Sequence, residues 1–130
     1  MKNILALFLL ASAVTWCGCV APSKEKWASA DCGLPPLDTT VLVRNWMRDT
    51  LVDPQSVQDL EISEPERGAL QRGLVHGGGY VFGWRSWVTF NAKNRMGGYV
   101  GRTTHVFLFR NGAIVATEKT GTRTLPDMWY

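Results

Sequence analysis

Histidine and cysteine are scarce: the chain has two histidines and three cysteines in 130 residues. Neither His76 nor His105 has a second ligand at metal spacing, so the common zinc patterns are excluded and no metal site is expected. Cys17 and Cys19 lie near the N-terminus, which leaves Cys32 alone and excludes an even-numbered disulfide framework. Cys32 is then either buried or paired with another chain. A catalytic role for it is disfavoured, because no histidine is near it in sequence and Pro35-Pro36 place it in an extended segment. A dominant charge of one sign is also missing. Fourteen basic and 11 acidic residues give a formal net charge of +3, too mild and too evenly spread to argue for nucleic acid. Loss of a leader would remove Lys2 and no acidic residue. Gly77-Gly78-Gly79 lacks the Lys-Ser/Thr of a phosphate loop and leads into no helix. Ser86 and His105 are framed by no nucleophile elbow or paired carboxylates. The chain is therefore expected not to be an enzyme and to carry no cofactor.

What is present is a globular balance, 45% hydrophobic and 19% charged, in a length that suits a single domain. Thirteen glycines imply many tight turns, and six tryptophans supply apolar area for a small core.

The N-terminus has the marks of an export signal. Met1-Lys2-Asn3 is a short basic start, and Ile4 to Val14 is a nearly unbroken apolar run. About eleven residues are too few to cross a ~30 Å bilayer core as a permanent helix but suit the h-region of a signal peptide. Trp16-Cys17-Gly18-Cys19 then resembles the end of a bacterial lipoprotein signal, with Cys19 as the lipidated residue. Trp16 departs from that pattern, which wants a small aliphatic residue. The rival cleavage site, after Ala28-Ser29-Ala30, lies far from the apolar run with Lys24, Glu25 and Lys26 between, so Cys19 is preferred. Acylation there would tether the chain to a membrane. Val20 after the cysteine resembles the outer-membrane sorting pattern of enteric bacteria. The segments expected are a signal peptide over 1–18, a tether and irregular lead-in over 19–37, one domain over 38–119, and a tail over 120–130.

Within the domain, Asp38, Thr39 or Thr40 can cap a helix. Val43, Trp46, Met47 and Leu51 fall on one face of it, with Arg44, Asn45, Arg48 and Asp49 opposite. Asp53-Pro54 marks its end and a short turn. Val57 to Ser63 reads as a strand, Glu64 to Gly68 as a turn, and Ala69 to His76 as a short segment. Tyr80 to Ala92 and Tyr99 to Arg110 read as two long strands, with Gly83 a bulge or close approach. Asn111-Gly112 is a type I′ hairpin signal, returning through Ala113 to Lys119. The predicted fold is α+β, one N-terminal amphipathic helix packed on an antiparallel sheet of about four strands.

Two stretches carry a family resemblance. Leu51-Val52-Asp53-Pro54-Gln55-Ser56 follows the helix, and Asn91-Ala92-Lys93-Asn94-Arg95-Met96-Gly97-Gly98-Tyr99-Val100-Gly101 follows a strand. Together they resemble a group of small exported proteins of Gram-negative bacteria, many of them labelled lipoproteins. The resemblance extends over most of the chain after about residue 35. Val52 stands where the group has Lys, and Phe90 where it has an aliphatic residue. The group carries no established activity, so the resemblance implies localisation and architecture alone.

Asn and Gly tolerate left-handed backbone and bond their own turns, which suits Asn91, Asn94, Gly97 and Gly98 to a tight crossover closed by Tyr99. Lys93, Arg95 and Arg102 add a basic rim. The structural account of this loop needs no ligand; on the functional account Asn91, Lys93, Asn94, Arg95, Gly97, Gly98, Tyr99 and Arg102 form a candidate binding loop, for an envelope protein or a cell-wall component. Trp84, Trp87 and Trp129 would stack on sugars if exposed, with burial the default expectation for tryptophan. The expected role is a lipid-anchored, non-catalytic binding or accessory protein of the envelope, at the outer membrane facing the periplasm. The alternatives are an inhibitor or immunity protein against an envelope-targeting hydrolase, a small periplasmic hydrolase, or a soluble periplasmic or secreted protein.

Expression with the native leader in a Gram-negative host tests the anchor. The expected mature chain begins at Cys19, carries diacylglyceryl mass and fractionates with membranes; a soluble chain beginning at Asp31 contradicts it.

Overall fold

The computed structural model describes residues 22–73 and 77–120. His76, the tail beyond Thr120 with Trp129, and Cys17 and Cys19 lie outside the described residues. The elements run α1 (Lys24–Ala28), α2 (Thr39–Thr50), a 3-10 turn (Pro54–Ser56), β1 (Gln58–Ile62), β2 (Glu66–Gln71), β3 (Tyr80–Asn91), β4 (Thr103–Arg110) and β5 (Ala113–Lys119). The architecture is α+β, an antiparallel sheet of five strands with helices.

The strands fill four columns. β1 and β2 both pair with β3, β1 beside its C-terminal half (Ile62 opposite Val88) and β2 beside its N-terminal half (Glu66 opposite Arg85). β4 lies on the other side of β3, and β5 on β4. β1 and β2 thus act as one long strand broken at Ser63-Glu64-Pro65. Trp87 N–H donates to Ser63 Oγ (2.9 Å), and Ser63 N–H donates to Trp87 O (2.9 Å), which stitches the break.

Four details depart from the sequence expectation. Residues 66–68, expected in a turn, begin β2, because Gly68 gives Arg85 room: a Cβ there would press on the Arg85 stem. β4 starts at Thr103 rather than Tyr99, since the preceding residues belong to a closed loop. Lys24–Ala28, in the stretch expected to be a tether, is helical and capped by Ser23. Among the described residues the strands number five rather than about four.

The helix face works as the periodicity requires. Asp38 Oδ1 accepts from Val41 N–H (2.9 Å) at the N-cap, and Val43 and Met47 are buried. They pack with Val88, Phe90, Ala92, Phe107 and Phe109 in one cluster, flanked by Trp46, Leu51, Leu60 and Ile62. The Trp46 ring meets Phe107 edge-on at 4.9 Å, a geometry aromatic pairs favour. β3 and β4 therefore turn Val88, Phe90, Phe107 and Phe109 toward α2. Gly83 is a close approach, as expected: a side chain there would strike the Phe109 carbonyl and the Leu108 side chain.

On the opposite face Arg85 lies flat, its guanidinium 4.5 Å from the Trp87 ring centroid and 2.7 Å from Glu66 Oε1. Thr89 and Thr104 hydroxyls bond across the strands at 2.8 Å. Asn111 (φ 52°) and Gly112 (φ 78°) both adopt the left-handed region that a type I′ turn demands.

The lead-in is lashed to the end of the sheet that holds this turn. Arg110 pairs with Asp31 at 2.7 Å, Leu34 N–H donates to Asn111 Oδ1 (2.9 Å), and Trp84 Nε1–H donates to Gly33 O (3.0 Å). The Gly33 N–H and the Arg110 guanidinium hold the Asp31 carboxyl below its ordinary pKa. Cys32, free and buried, sits in this segment.

Phe107→Ala removes the fully buried ring at the centre of the cluster. It is expected to cost about 3–5 kcal/mol in denaturant unfolding; a loss under ~1 kcal/mol would show that the helix and sheet do not share this core.

Candidate functional site

The loop from Asn91 to Arg102 is held by its own side chains. Asn91 ends β3, and its Oδ1 accepts from Gly101 N–H (3.0 Å), closing the base. Lys93 and Tyr99 form a single β-bridge. Above it, Asn94 Oδ1 accepts from Met96 N–H (2.9 Å) and Gly98 N–H (3.1 Å). Asn94 N–H donates to Gly98 O (2.9 Å), and Gly97 N–H to Asn94 O (3.0 Å). A β-branched or bulky residue at position 97 would meet φ 79°, a region such side chains avoid. The polar residues of the loop thus solve a backbone problem, satisfying donors that a tight turn would leave without partners.

The loop is also buttressed from below. Ser56 is buried; its hydroxyl donates to Asp53 O (2.7 Å) and accepts from Lys93 N–H (2.9 Å). The Leu-x-Asp-Pro-x-Ser and Asn-Ala-Lys-Asn stretches therefore meet in space, 37 residues apart in sequence. One hydroxyl ties the end of the helix to the root of the loop.

Of the expected site residues, the structure brings Asn91, Lys93, Asn94, Gly97, Gly98 and Tyr99 into one hydrogen-bonded unit, with Arg95 exposed at its tip. Lys93 Nζ rests 5.5 Å from the Tyr99 ring centroid. Arg102 differs: its guanidinium is engaged by Glu61 at 2.8 Å, which raises its pKa further. Among the described residues neither Lys93 nor Arg95 is in an ion pair, and these two form the positive rim. Sequence reasoning passed over Met96, 92% exposed at the tip, and Val100, 56% exposed beside Tyr99. The available signal was an apolar residue stranded between Arg95 and Gly97 with no alternation to bury it. Ser56 was passed over as a buttress because nothing local points to residue 93.

The other candidates are occupied structurally. Trp84 donates its indole N–H to Gly33 and packs against the core. Trp87 has the Arg85 guanidinium on its ring. The Ser86 hydroxyl donates to Ser63 O (2.6 Å). His105 stacks on Phe90 at 5.2 Å and lies 5.9 Å from Trp46. Among the described residues no group of three or more His, Cys, Asp or Glu is placed to hold a metal ion. Beside the loop, Arg102, Thr103, Thr104, Lys119 and Thr120 line an open depression.

No family model, curated protein or solved structure matches the chain.

Ser56→Ala leaves the Lys93 N–H without its acceptor, an expected loss of about 1–3 kcal/mol with faster amide exchange at Lys93. Asn94→Ala should leave global stability nearly unchanged and speed exchange at Met96 and Gly98. Unchanged exchange at those amides in both variants would refute the bracing.

Proposed function

We propose that the chain is a small lipid-anchored envelope protein with a non-catalytic binding role, and that the Asn91–Arg102 loop is its binding element. In this reading residues 1–18 are a signal peptide and Cys19 carries the lipid. The domain faces the periplasm, with the outer membrane as its site. The apolar leader, the Gly18-Cys19 junction and the resemblance to exported lipoproteins support the localisation.

One observation carries the binding reading. The loop fixes its backbone with Asn91, Asn94 and Ser56 while leaving Lys93, Arg95, Met96, Tyr99 and Val100 uncommitted to the core. Interior residues bury apolar groups, and solvated turns are polar. A stiff turn that displays methionine, valine, tyrosine and two cations fits neither description but suits an interface, where aromatic residues, Met and Arg are enriched. Pre-organisation lowers the ordering cost of binding.

The same projecting form also favours a second reading, an inhibitor or immunity protein that places the loop on an envelope-targeting hydrolase.

The Lys93→Ala, Arg95→Ala double variant tests the reading. Chemical crosslinking of intact cells should yield envelope complexes with the parent chain and at least about tenfold fewer with the variant, a change worth ~1.4 kcal/mol. Complexes that persist at full yield with a folded variant would reject the loop as the binding element.

A further inference from the structure

The position of the loop in the fold specifies what it reaches and what shape it meets; this step rests on the function proposed above. β3 has 12 residues from Tyr80 to Asn91, about 36 Å at the rise of a strand. The chain joins the domain at the Tyr80 end. Trp27 of α1 packs on Phe82 at 5.2 Å, and Lys26 lies over Tyr80. Arg110 and Asn111 hold Asp31 and Leu34 at the same end. The loop leaves β3 at the opposite end.

The four peptide units from Cys19 to Ser23, the cap of α1, reach at most about 14 Å. A lipid on Cys19 therefore keeps the lead-in end close to the bilayer. The loop sits about 36 Å from that end along β3, so the anchored domain can present it beyond the ~10 Å over which headgroup charge is felt.

Shape and charge narrow the partner. Arg95 to Gly98 cap a two-stranded stalk bridged at Lys93 and Tyr99, so the tip is narrow and convex. No carboxylate occurs between Asn91 and Arg102. A bilayer is flat and offers no concavity to a narrow tip. A convex cationic tip ending in an exposed methionine is complementary to a concave acidic surface with an apolar floor.

We propose that the loop docks into a carboxylate-lined cleft on another protein that faces the anchored domain from the side away from the lipid. Met96 enters the apolar floor, and Lys93 and Arg95 pair with carboxylates at the rim.

The test uses the full-length protein with its own leader in Gram-negative cells. A photoreactive residue is introduced as Met96→p-benzoylphenylalanine, and in parallel as Leu34→p-benzoylphenylalanine at the lead-in end. The expected result is a protein adduct from position 96 alone, its crosslinked peptide mapping to a cleft bearing Asp or Glu. Adding Lys93→Glu and Arg95→Glu should reduce that adduct at least about tenfold, with circular dichroism confirming an intact fold. In parallel, the purified mature chain is sedimented with isolated peptidoglycan sacculi and with phosphatidylglycerol vesicles. Binding to either that is lost in the Lys93→Glu, Arg95→Glu variant would overturn the cleft while keeping the loop as the binding element. An adduct mapping to a surface without carboxylates would do the same. No charge-dependent adduct and no charge-dependent sedimentation would overturn both the cleft and the loop's binding role.

Discussion

Burial of Val43 and Met47 of α2 against Val88, Phe90, Phe107 and Phe109 is the contact from which the rest of the domain follows. The sheet face that bears these four side chains has to be covered, and α2 packs across it. The hydrophobic gain from closing that face is the main term opposing the entropy of ordering the chain. It also fixes where the helix ends. Leu51 packs at the edge of the cluster, Asp53-Pro54 starts the 3-10 turn, and the Ser56 hydroxyl arrives under Lys93. Core packing thus sets the helix end, the helix end sets Ser56, and Ser56 sets the root of the loop.

The second face of the sheet is managed differently. With no described helix over it, Arg85 is laid along the strands, stacked on Trp87 and paired with Glu66. Arg85 stems are partly apolar and cover surface that would otherwise be wet. Gly68 and Gly83 are the positions where side chains would obstruct this arrangement or the neighbouring strand. Among the described residues the buried Arg85 Nε has no hydrogen-bond partner, a cost set against the ion pair and the stacking.

Elements governed by local rules were legible in the sequence. Asn111-Gly112 needs two residues at positive φ, and few dipeptides supply them so cheaply, so the β4–β5 hairpin and the limits of β5 followed directly. The apolar spacing of Val43, Trp46, Met47 and Leu51 marked out α2 and its buried face. What escaped depended on partners distant in sequence. Glu64 to Gly68 reads as a turn because Pro65 and Gly68 are breakers, yet Gly68 serves the Arg85 side chain on the neighbouring strand. α1 is a single turn whose anchor, Phe82, lies more than fifty residues away in the chain. The loop's Asn and Gly content was visible, but the Ser56 hydroxyl that accepts from Lys93 was not. Its display of Met96 became apparent only once no face of the sheet was found to receive that side chain.

The function proposed here depends on the loop being as rigid as the sheet it crowns. A turn that displays cations and a methionine but fluctuates freely would pay for ordering on every encounter, whereas one fixed by Asn91, Asn94 and Ser56 would not. Backbone nitrogen-15 relaxation of the mature domain in the absence of any partner measures this directly. The account predicts order parameters near ~0.85 from Lys93 to Gly101, equal to those of β3 and β4. Values below ~0.6 across Arg95 to Tyr99 would contradict it, since the loop would then be a solvated linker and not a presented surface.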